Sequence, residues 1–166
     1  MSRKISVSAL SQMAVVAAIY TALTICLAPL SYGALQIRIS EALMLLCCYR
    51  KRWCVSLTLG CMLANLFSGM AVDFLFGTLA TLLAAILMQR IQKPLLAAWI
   101  PAVVNGILIG AELFFFMDVP FLPGAAGVAI GELLSVAAVG LPLLHCAKHS
   151  PIFCRLIGIP AASSSH

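Results

Sequence analysis

The chain has 166 residues, of which 63% are hydrophobic and 9% charged, with a formal net charge of +5 and a mean hydropathy of +1.12. A soluble body of this size has too much surface for its volume to hide so much apolar material. The composition excludes a soluble globule, and the basic residues form no surface domain for nucleic acid; it predicts an all-α integral membrane protein.

A span takes about 20 residues, so the chain has room for roughly six. Arg3 and Lys4 precede an apolar stretch that is too long for a secretion-signal core. No convincing small-residue cleavage site follows it, so 8–28 reads as a retained first helix. Breaks at Pro29–Gly33, Arg50–Arg52, Ser68–Val72, Gln89–Pro94 and Asp118–Gly124 then leave helices at about 34–49, 53–68, 73–89, 95–117 and 125–147. Residues 1–160 thus read as one six-helix domain and 161–166 as a flexible polar tail. With both termini in the cytoplasm, nine of the ten basic residues lie inside, Arg38 being the exception. The opposite orientation reverses that count, so the positive-inside rule sets the topology.

Four of the five acidic residues, Glu41, Asp73, Glu112 and Glu132, fall inside or at the edge of apolar runs. A carboxylate in hydrocarbon costs at least a few kcal/mol unless it is paired or faces a polar cavity. The predicted topology puts all four in the outer half of the membrane, together with Gln36, Arg38, Asn65 and Asn105. A proton relay needs ionisable groups along its whole path, and here they stop midway. One cavity open to the outside fits better. Four carboxylates against one guanidinium favour a cationic ligand or one rich in N–H donors, since a carboxylate accepts two parallel N–H bonds. Tyr32, Phe115, Phe116 and Phe121 are placed to stack on a flat ring or line a lid. The structural alternatives are local. Arg38 and Glu41, three apart, can neutralise each other; Glu132 is a second candidate partner for Arg38; and Asp73 can serve as a helix N-cap.

Helix one carries Ala14, Ala18 and Ala22 at four-residue spacing, a face that lets another helix approach closely. Gly106–Gly110 and Gly127–Gly131 repeat the spacing in helices five and six. The seven cysteines, 26, 47, 48, 54, 61, 146 and 154, form no C-x-x-C pair and no zinc-like spacing, and read as small hydrophobes. The chain lacks a phosphate-binding G-x-x-x-x-G-K-[ST] loop. Its histidines, 145, 149 and 166, are placed far from the acids, so neither enzymatic chemistry nor a metal or other cofactor is expected.

PLSYGALQIRISEALMLL (29–46), GCMLANLFSG (60–69), DFLFGTLATLLAA (73–85), VNGILIGAEL (104–113) and GELLSVAAVGLPL (131–143) occur in this order. Together they resemble the QueT family over nearly the whole membrane region. The resemblance implies a six-helix S-component-like bundle of an energy-coupling factor (ECF) transporter in the bacterial plasma membrane. Such a subunit captures queuosine precursors, which are 7-deazaguanine derivatives. Its implied partner is an ECF module made of a transmembrane T-component and two ATPases, docked on the Ala14, Ala18 and Ala22 stripe. A 7-deazaguanine offers N1–H and an amine to a carboxylate, so Glu112 or Glu132 is expected to read the guanine-like edge. Gln36, Asn65 and Asn105 would complete the bonds, and Asp73 would take the substituent or the remaining N–H. The cytoplasmic end of helix two departs from the family pattern, reading LCCYRKRW where a proline-containing apolar turn is expected. Two other classes remain. One is a stand-alone facilitator or cation-coupled carrier using the same acids; the other is an assembly subunit whose acids form internal ion pairs.

Overall fold

The computed structural model describes residues 6–31 and 36–158. Tyr32, Arg3, Lys4 and the 161–166 tail lie outside the described residues. Secondary structure among them is entirely helical. Four helices are long and apolar enough to cross a membrane: α1 (Val7–Cys26), α4 (Ala71–Ile91), α5 (Pro94–Met117) and α6 (Phe121–Ala147). Two shorter ones, α2 (Ile39–Cys48) and α3 (Lys51–Asn65), lie between α1 and α4. A last helix, α7 (Pro151–Ile157), follows α6.

The helices form an arc in the order α1, α3, α4, α5, α6, and α2 fills the middle, touching α1, α3, α4 and α6. Helix α2 is apolar all round apart from its first turn, which suits an element enclosed by others rather than one with a lipid-facing side. Ser40, Glu41, Ala42 and Met44–Cys48 are all buried. The expected helix over 34–49 is corrected here. Residues 36–38 are not helical, and α2 is wound as a 3-10 helix starting with the Glu41 N–H bonded to the Arg38 carbonyl, 2.8 Å away. At about 2.0 Å rise per residue, tighter winding stretches ten residues to roughly 20 Å. The surrounding helices shield its poorer backbone hydrogen bonds from lipid.

Close approach fixes the neighbours. A Cβ on Gly60 of α3 would lie 2.9 Å from the Ala17 carbonyl of α1, and the Thr21 hydroxyl donates to the Gly60 carbonyl at 2.9 Å. A Cβ on Gly110 of α5 would lie 2.8 Å from the Ala125 Cβ of α6. Helix α6 opens as α-helix to Glu132, turns to π-winding over Leu133–Gly140, and closes as α-helix over Leu141–Ala147. The outer face of the arc carries Leu79, Leu83, Val103, Ile107 and Ile130, all exposed. A continuous apolar exterior of this kind belongs in a bilayer, and the protein is a membrane protein.

The two ends of the bundle differ in charge. Arg50, Lys51, Arg52, Arg90, Lys93, Lys148 and Arg155 lie where α2 meets α3, where α4 meets α5 and beyond α6. At this end α7 folds back on the bundle. Ser150 caps its start, the hydroxyl accepting from the Phe153 N–H, and Gly158 ends it in the left-handed region at φ 71°. Its terminal carbonyls accept from Arg52 (Leu156 O, 3.3 Å), the Trp53 indole (Ile157 O, 3.0 Å) and Arg50 Nε (Gly158 O, 3.0 Å). The LCCYRKRW departure thus supplies the clamp for this helix.

Candidate functional site

At the opposite end, the start of α4, the end of α5 and the start of α6 surround a cavity of about 470 Å³. Four of the expected site residues, Gln36, Arg38, Asp73 and Glu112, line it, with Gly77 and the apolar Ile109, Leu113 and Met117. They reach the wall from three features. Gln36 and Arg38 come from the bend before α2, where Gln36 takes a positive φ of 44°, a conformation that costs a non-glycine residue energy and often marks a binding site. Asp73 is the third residue of α4 rather than its N-cap, which is Met70; a carboxylate there faces the positive end of the helix dipole. Glu112 lies on the inward face of α5, one turn beyond Ile109 and seven residues from Asn105.

A layer of buried polar groups lies beneath this wall. Glu41, Glu112 and Glu132 are 0%, 2% and 4% exposed, and Arg38 is 9% exposed. The Tyr20 hydroxyl donates to Glu41 Oε1, and the Asn105 amide donates to Glu132 Oε1. Thr24 and Ser40 share a hydrogen bond of 2.6 Å between α1 and α2. Arg38 lies in the electrostatic field of Glu41 and Glu132 and also acts on Glu112. The guanidinium thus lies among several acids rather than beside Glu41 alone. Glu112 in turn interacts with Asp73 beside it.

Cys61 ties α3 to this assembly. Its sulfur accepts from Thr81 at 3.1 Å, the Asn65 amide at 3.4 Å and Arg38 at 3.6 Å, and its thiol lies 3.7 Å from the Gly77 carbonyl. Asn65 also donates to the Asp73 backbone carbonyl at 3.1 Å and borders a neighbouring recess beside Met70 and Phe74.

One side-chain oxygen of each of five site residues is buried without a hydrogen-bond partner: Glu41 Oε2, Asn65 Oδ1, Asn105 Oδ1, Glu112 Oε1 and Glu132 Oε2. A buried polar group left unpaired costs about 1–3 kcal/mol. All five are acceptors.

The aromatic expectations divide. Phe115 stands on the outside of the bundle, 73% exposed, packed edge-on against Phe114, so its side chain does not reach the cavity. Phe116 packs edge-on against Phe76 with ring centroids 5.9 Å apart. Ala14, Ala18 and Ala22 are exposed on one face of α1, opposite the buried Val16, Tyr20 and Thr24. Tyr20 and Cys61 are polar contributors that composition-level reading passes over. The four-residue spacing of Val16, Tyr20 and Thr24 is the signal that places Tyr20 inward.

An apolar helical exterior around a cavity lined by Arg38, Asp73 and Glu112 defines a membrane protein with a polar, ligand-sized cavity. The chain belongs to the QueT transporter family, which it matches over residues 10–149. A relative in Lactococcus lactis subsp. cremoris (strain MG1363), the queuosine precursor transporter QueT, is 32% identical over 140 residues, covering 75% of this chain and 83% of the relative. No solved structure matches the chain significantly.

Proposed function

We propose that this protein is the substrate-capture subunit of an ECF-type importer, binding a 7-deazaguanine queuosine precursor in the cavity between α4, α5 and α6. In this reading six segments cross the bacterial plasma membrane, both termini are cytoplasmic and the cavity faces outward. A T-component and two ATPases release the solute inside. The observation that carries it is the polar cavity wall, where Glu112 stands beside Asp73 and Arg38 with its Oε1 buried and without a hydrogen-bond partner. A guanine-like ring is a flat donor-rich solute, with N1–H and an exocyclic amine on one edge. Glu112 at the wall or Glu132 beneath it reads that edge, Arg38 donates to the ring carbonyl, and Gln36, Asn65 and Asn105 complete the hydrogen bonds. Asp73 takes the substituent. Docking of the partner module on Ala14, Ala18 and Ala22 is supported by the exposure of all three on one face.

The test is a thermal-shift or native mass-spectrometric screen of the purified protein against 7-deazaguanines, guanine, thiamine and riboflavin. Selective stabilisation by the 7-deazaguanines is expected. Glu112→Gln and Glu132→Gln replace an acceptor with a donor, and the residue that reads the ring edge should lose about tenfold or more in affinity. Unchanged affinity in both variants overturns the assignment. Uptake in cells that lack any ECF module would instead establish a stand-alone carrier.

A further inference from the structure

The cations at the basic end have no carboxylate side chain to pair with. The five acidic residues of the chain are the four around the cavity and Asp118, which ends α5 between the cavity-lining Met117 and Val119. At the opposite end the clamp gathers charges of one sign. Arg50 gives Nε to the Gly158 carbonyl and Arg52 gives Nη2 to the Leu156 carbonyl. These bonds bring Arg155, the residue before Leu156, to the start of α3. Arg50, Lys51 and Arg155 are exposed, and Arg52 lies in the electrostatic field of Arg50. A guanidinium has five N–H donors, so the clamp leaves most of those on Arg50 for another acceptor. Like charges held this close cost energy that an anion between them offsets.

Helix α7 adds an apolar component. Phe153, Cys154 and Ile157 pack on the bundle, whereas Ile152 and Leu156, one turn apart, are 74% and 50% exposed. Arg155 stands beside them on the outward side. A short helix held against the bundle, with apolar and basic side chains facing out, suits the boundary between headgroups and acyl chains.

We propose that the basic end holds an anionic phospholipid of the adjoining leaflet, its phosphate between Arg50, Lys51 and Arg155 and its acyl chains along Ile152 and Leu156. The planar guanidinium matches a pair of phosphate oxygens. Ile152 and Leu156 favour a lipid over an acidic protein surface, since acyl chains cover them and a purely charged partner leaves them in water. Any apolar side chain serves at these two positions, whereas the positive charges carry the recognition.

The test is native mass spectrometry of the purified full chain titrated with phosphatidylglycerol, with phosphatidylcholine of the same acyl chains, and with phosphatidylglycerol in excess inorganic phosphate. Phosphatidylglycerol should bind about tenfold or more tightly than phosphatidylcholine, and inorganic phosphate should not displace it. Lys51→Gln combined with Arg155→Gln leaves the clamp donors in place and should bring the two lipids within about threefold of each other. Limited proteolysis after residue 150 should stay at the wild-type rate in that variant, which reports an intact clamp. Equal binding of the two lipids by the wild-type chain overturns the proposal and leaves the patch to an acidic protein. Displacement by inorganic phosphate overturns it in favour of a simple anion site, and an undiminished preference in the double variant overturns the placement.

Discussion

Gly77 shows how little room the site leaves at the level of one atom. A Cβ at this position would lie 2.5 Å from Asn65 Nδ2, and that amide is already tied to Cys61 and to the Asp73 carbonyl. Asn65 is short and held at both bonds, so it cannot swing away without losing them. Gly77→Ala should therefore lower the unfolding free energy by about 1–3 kcal/mol, measured by denaturation in detergent, and weaken ligand binding as Asn65 shifts. Gly124→Ala on the same wall is the control. Its Cβ would meet nothing closer than 3.4 Å, an ordinary contact, and stability should stay within about 0.5 kcal/mol. Equal loss in both variants would mean that wall volume, not the Asn65 contact, sets the cost.

At the scale of elements, much of the architecture is legible in the sequence because long apolar runs between turn formers leave few alternatives. Helices α1, α4, α5 and α6 fall close to their predicted ranges. The position of α2 is legible but its winding is not, because hydrophobic spacing over ten residues does not separate α from 3-10 helix when every side is buried. The same reason hides the π-wound stretch that begins after Glu132. Of the site, the acids and Arg38 are visible as charges in hydrocarbon. Which of them reach the cavity wall depends on the bend at 36–38, and no periodicity encodes that bend. Phe115 misleads because a run of three phenylalanines must point in three directions around a helix. Helix α7 carries a readable signature in Ser150, Pro151 and Gly158, a cap, a first-turn proline and a terminal glycine, but at seven residues it is too short for a span to draw attention to it. Its clamp gives a separable prediction. Arg50→Ala combined with Arg52→Ala removes two of the three donors to its carbonyls, and limited proteolysis after residue 150 should speed up by about tenfold. Ligand affinity should stay within about twofold, because the clamp lies at the far end of the bundle from the cavity. Unaltered proteolysis would show that the apolar contacts of α7 alone hold it.

The whole molecule is polarised along its long axis, with acids and the cavity at one end and basic residues at the other. This asymmetry makes the proposed orientation measurable with the native cysteines. Cys26 and Cys146 are exposed, whereas Cys47, Cys48, Cys54, Cys61 and Cys154 are buried. Cys26 closes α1 near the cavity end, and Cys146 lies in the last turn of α6 near the basic end. In intact cells a membrane-impermeant maleimide should modify Cys26 and spare Cys146 until the membrane is opened. The reverse pattern would invert the topology and turn the cavity towards the cytoplasm. A ligand that fills the cavity should also raise the stability of the whole bundle, since binding to the folded state alone adds RT ln(1 + [L]/Kd).

The clamp at the basic end recognises α7 through main-chain oxygens at positions 156, 157 and 158. Carbonyls are the same whatever side chain they carry, so the three donors read the path of the backbone and not its spelling. Leu156, which is exposed, is thus at liberty to drift in related chains as long as the turn is kept, while Arg50, Arg52 and Trp53 carry the constraint and Ile157 also packs on the core. Gly158, which alone accepts the reversal of the chain at little cost, is the one acceptor whose identity is not free.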